Sequence, residues 1–278
     1  MSKTMNINQY TFEVIEAEDL HLALLPEMAQ KYRTSSCGKS FVEIMSGYAR
    51  EVTALPLNFK KKPVFGFVVL PQGEIFQKLS NCPFPKGMCG IFVPIDEVYT
   101  EALAVDEVWF EKGFSKTPDE EQKISLIHEL SHTVHGAYFQ KMGRLSEGFA
   151  ELVPHYLMNI PNPKHDEIIK SLDVNSLPVL GFLNKNGMFA DPEDKKLRAQ
   201  YRSSYISTYL WMLAYVKRLE SQRGLNKFEA VNLLLSEFEK LEKLPWSERM
   251  QGVAQLIGLS EEVCFGSLDL QKEALNFI

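Results

Sequence analysis

Residues 126 to 151 read LIHELSHTVHGAYFQKMGRLSEGFAE and hold three histidines and three glutamates among apolar and small residues. Imidazole nitrogen and carboxylate oxygen are ligands that zinc accepts, at about 2.0–2.2 Å each. His128 and His132 are four residues apart, so on a helix they stand one turn above the other on a single face and reach one ion together. Glu129 follows the first of them and can take a proton from a water activated by that ion, acting as general base. The pattern is H-E-x-x-H. His135 lies seven residues beyond His128, about 10.5 Å farther along a helix axis, too far to share the ion. It suits a helix end before Gly136, where a cation meets the negative end of the dipole. In RLSEGFAELV, Ser146 can cap a second helix on which Glu147 and Glu151 share a face. If that helix returns antiparallel to the first, Glu147 comes against the two histidines. Glu151, one turn on, is then placed to accept the free ring N–H of a ligand histidine and fix its tautomer.

The elements that must position these residues are legible nearby. TPDEEQKISLIHELSHTVHGAY opens with Thr117 as N-cap, Pro118 at the first helical position and Glu120 completing a capping box. Ile124, Ile127, Leu130 and Val134 recur at three and four and give that helix a core stripe. Upstream, short extended runs alternate with turn signals: FGFVVL before PQG, CGIFVP, and AVDEVWFE before KG. Helices are expected around Leu20 to Lys31 and Ser40 to Leu55, and from Thr117 onward the pattern is helical. The expected fold class is therefore α+β, one domain with a sheet-containing lobe over 1–116 and a mainly helical lobe over 117–278.

HELSH, followed after fourteen intervening residues by the Glu of LSEGFAE, resembles the gluzincin metallopeptidases, whose third zinc ligand is the Glu of a helix after H-E-x-x-H, often written N-E-G-x-A. Ser146 stands where the family often has Asn. The resemblance implies a zincin-like catalytic domain holding one Zn²⁺ on His128, His132 and Glu147, with Glu151 supporting a ligand and Glu129 as base, acting on a peptide or protein substrate. It also implies a substrate-pairing edge strand before the zinc helix, a part that AVDEVWFE could play; a buried internal strand fits those letters equally. The aminopeptidase branch carries a G-x-M-E-N stretch, and KGMCGIF has no Glu after its Met, so exopeptidase action is unsupported. Branch members place an oxyanion-stabilising Tyr near the start of a later helix. In QYRSSYISTYLWMLAYVKRLE that nominates Tyr201, with Tyr205 as competitor, against the plainer reading that both are core aromatics. The other extended form, H-E-x-x-H-x-x-G-x-x-H of the metzincins, fails on residue identity, because His135 and Tyr138 occupy its Gly and final His positions.

Composition narrows the partners. The 278 residues are 45% apolar and 24% charged, with a net charge of −6, an ordinary globular balance. Nucleic acid and anionic membrane surfaces need clustered Lys and Arg, so neither is expected as a partner. VAQLIGLSEEV has the outline of a helix-turn-helix opening, but the following FGSLDLQKEAL carries too little positive charge to grip phosphates. SSCGKS lacks the first glycine of a P-loop, Arg33 standing there. No leader or membrane span is expected, which points to the cytoplasm. Cys37, Cys82, Cys89 and Cys264 are expected as free thiols there, although Cys82 and Cys89 flank one loop and could pair after export. A non-catalytic zinc-binding or regulatory protein on the same fold is the competing expectation; the presence of Glu129, which ligates nothing, favours the enzyme.

Overall fold

The computed structural model describes residues 3–7, 9–17, 20–34, 36–58, 65–71, 99–105, 120–139, 145–161 and 195–245, with a few isolated positions beyond them. Contacts divide the chain into two compact units: residues 1–55 with 59–134, and 56–58 with 135–278. The division falls inside a single continuous helix.

The first unit carries a five-stranded sheet in the order β1 (Lys3–Ile7), β2 (Tyr10–Ala17), β3 (Leu20–Leu24), β4 (Phe65–Pro71), β5 (Tyr99–Val105). The first three strands are antiparallel neighbours, while β3, β4 and β5 run parallel. A parallel connection needs a crossover. Between β3 and β4 it is made by α1 (Pro26–Thr34) and α2 (Ser36–Thr53). Phe12 and Val14 alternate inward along β2, and Leu20, Leu22, Ala23 and Leu24 are buried on β3. Val42, Met45, Ala49 and Val52 form the buried stripe of α2 at helical spacing.

The helix expected around Leu20 to Lys31 is corrected. Leu20–Leu24 is a strand, pairing β2 on one side and β4 on the other, and the helix begins only at Pro26. A short apolar run reads as strand or helix with equal ease, and sheet pairing on both edges decided it. The proline marks the change: it disfavours α-helical geometry at Leu25 and suits the first helical position itself. The expected helix around Ser40 to Leu55 is present as α2, and FGFVVL is present as β4. Of AVDEVWFE, Ala104 and Val105 end β5; its remainder, CGIFVP and the cap at Thr117 to Pro118 lie outside the described residues, as does the helix-turn-helix outline apart from Gln255 and Leu256.

α3 (Glu120–Phe139) carries the H-E-x-x-H residues. In the first unit, Ile124, Leu126, Ile127 and Leu130 are buried, and Lys123 lies over the Tyr48 ring of α2 at 5.2 Å while pairing with Glu51 at 3.1 Å.

The second unit centres on α5 (Lys195–Arg223), buried without a break from Thr208 to Val216. A helix apolar all round belongs inside a core. It ends in a Schellman turn: Gly224 sits at φ +64° and the Leu225 N–H donates to the Glu220 carbonyl at 3.2 Å. α6 (Lys227–Glu242) follows, its capping box made by Asn226 and Glu229. α4 (Leu145–Leu152) packs on α5 and continues into a π turn over Val153–Leu157. Pro154 has no N–H for an ordinary helical bond, and the ladder resumes wide, Met158 N–H donating to the Val153 carbonyl at 2.9 Å. The protein is α+β.

Candidate metal centre

On α3 the core stripe fixes the rotation of the helix and thereby the histidine face. His128 and His132 are 7% and 4% exposed, and their Nε2 atoms approach to 3.1 Å with the rings near perpendicular at 79°. Two nitrogens each about 2.05 Å from a tetrahedral zinc stand about 3.3 Å apart. The pair thus converges on one point at nearly the separation such an ion demands. Ser131, between them in sequence and fully buried, satisfies its hydroxyl by donating to the Ile127 carbonyl at 2.6 Å. Glu129 is half-buried on the same turn. His135 is helical in backbone, and its side chain lies outside the described residues.

α4 presents Glu147 half-buried in its first turn, beside buried Phe149, Ala150 and Leu152. Its glycine explains how close the helix can sit. A Cβ on Gly148 would stand 2.8 Å from the carbonyl carbon of Thr208, and its oxygen would be nearer still. Only a residue without a side chain lets α4 approach α5 to this distance.

The ligand atoms of His128, His132 and Glu147 all lie within 4.8 Å of one another, and among the described residues this is the one group of three or more such side chains able to hold a metal ion. The donor set, two imidazoles and a carboxylate, fits zinc and leaves a fourth position for water or substrate.

Glu151 has a partner that sequence reasoning did not name. Its Oε2 lies 3.1 Å from Nε2 of His155, one turn on, and both side chains are largely buried. The i, i+4 spacing in EGFAELVPH was the available signal. Tyr209 of α5 sets its ring edge-on to His155, centroids 5.7 Å apart. Burial raises the Tyr209 phenol above its ordinary range, with the Glu151 carboxylate adding to the rise. Tyr201 and Tyr205 lie two turns and one turn before it on α5, and their side chains are outside the described residues.

Compared with protein-family models and with curated proteins, the chain has no match in either.

Proposed function

We propose that the protein is a zinc-dependent peptidase of gluzincin type, built on a zincin-like catalytic domain, with His128, His132 and Glu147 holding one zinc ion. The observation that carries this reading is the convergence of two buried imidazole nitrogens 3.1 Å apart with a carboxylate in reach of both. A bound zinc ion supplies Lewis-acid polarisation of a carbonyl and acidifies a water. Glu129 takes the proton of the attacking water and delivers it to the leaving amine. Tyr201 or Tyr205 donates a phenolic hydrogen bond to the developing oxyanion. Glu151 carries a carboxylate one turn beyond Glu147, paired with His155. The substrate is a peptide or protein segment. β5 stands last in the described strand order, and an extended chain can add to such an edge.

Zinc content measured by plasma emission tests the centre. Wild type should carry about one zinc per chain, and Glu147→Ala should lose most of it. A chain purified without chelator that holds no zinc and takes up none on addition would sink the reading. Glu129→Gln should retain the metal and lose about 10²–10⁴ in the hydrolysis of a peptide library, the range for removal of a general base. Zinc retained with no cleavage by the wild type would instead favour a binding protein.

A further inference from the structure

A second feature stands apart from the histidine cluster and does not depend on the proposed activity. α2 lines a cavity of about 400 Å³ with Lys39, Val42, Glu43, Ser46 and Arg50, and Tyr32 of α1 closes another side. These α2 positions follow one helical face through three turns. The volume is that of a small-molecule pocket.

Its charges are arranged unlike those around it. Among the described residues of this unit, Lys3 pairs with Glu16, Arg33 with Glu13 at 2.5 Å and Lys123 with Glu51 at 3.1 Å. Among the described residues, no carboxylate pairs with Lys39 or Arg50, although Glu43 lies one turn from Lys39 on the same face. An independent observation points the same way. The Ser46 hydroxyl oxygen is buried and has no hydrogen-bond partner among the described residues. A buried hydroxyl left unbonded is destabilising, and such a group is ordinarily satisfied by protein, ordered water or a bound polar group. Ser46 and Arg50 are four apart, so hydroxyl and guanidinium serve one location.

We propose that this cavity binds a small organic anion. Its phosphate or carboxylate would accept from the Arg50 fork and the Ser46 hydroxyl, with Lys39 adding attraction, and an apolar body would lie against Val42 and the Tyr32 ring. Guanidinium geometry matches either oxyanion in a two-point contact. Glu43 disfavours a second negative charge on the body, so a singly headed anion fits best.

Titration calorimetry of the full chain with phenyl phosphate and with phenylacetate tests the site and separates the two head groups. Saturable binding of either is expected, weakened tenfold or more by both Arg50→Ala and Arg50→Gln. Ser46→Ala should weaken it severalfold without lowering Tm, because the hydroxyl it removes makes no bond among the described residues. Absence of binding by both probes, or an affinity unchanged in the Arg50 variants, overturns the proposal.

Discussion

Gly148 shows how one residue can govern the place of its neighbour. The ligand candidate Glu147 precedes it, and the close approach at Thr208 sets where that turn of helix can lie. Gly148→Ala should destabilise the fold by about 1–3 kcal/mol, the usual cost of overpacking, and should weaken zinc retention alongside it. Urea unfolding together with metal analysis checks both. Tyr209 gives a prediction with a definite sign. Its phenol is raised by burial and by Glu151, so the folded state holds a proton that the unfolded chain releases above about pH 10. The associated stability is present in full below that pH and declines as pH rises past it, by up to about 1.4 kcal/mol per unit for one such group. Urea midpoints from pH 9 to 11 should fall for wild type, and the fall should be shallower in Tyr209→Phe. The histidine spacing itself was plain in the letters, because a helix converts i, i+4 into adjacency. The His155 partner of Glu151 was equally spaced but belonged to no motif, so nothing in the letters separated it from a surface histidine.

Elements in this chain are set by local chemistry where that chemistry is strong. Asn226 accepts from the Phe228 and Glu229 N–H groups at 3.0 Å, and the Glu229 carboxylate accepts from the Asn226 N–H at 2.8 Å. Asn226→Ala should cost about 1 kcal/mol, read as a lowered Tm, and Asn226→Ser should restore most of it. α2 was legible from its periodic stripe, and β4 from its β-branched and aromatic run. LHLAL was not. Five apolar residues carry too little period to distinguish strand from helix, and β3 became a strand because β2 and β4 pair with it. The N-terminal hairpin of β1 and β2 is weakly marked in the letters for a related reason: of its eight β2 residues only Phe12 and Val14 are buried, so the alternation is short. The π turn after α4 was foreshadowed by Pro154, yet its width follows from the lost amide and the packing around it.

For the whole molecule, the proposed zinc centre makes stability depend on metal. An ion that binds the folded chain and not the unfolded one adds RT ln(1 + [L]/Kd), about 2.7 kcal/mol at a hundredfold excess over Kd. Treatment with a chelator should therefore lower Tm by several degrees, and stoichiometric zinc should restore it; an unchanged Tm would count against the centre. No helix among the described residues is long and apolar enough to cross a membrane. The sequence by itself determined the α+β class, the paired histidines with Glu129 beside them, and the face on which Glu147 and Glu151 travel together, because helical spacing depends only on the local repeat. Tertiary structure alone decided that β3 is a strand, that the two imidazoles converge nearly to a tetrahedral separation, and that a glycine against Thr208 seats the helix of Glu147. Those outcomes rest on sheet pairing, burial and close packing between segments distant in the chain, which no local period encodes.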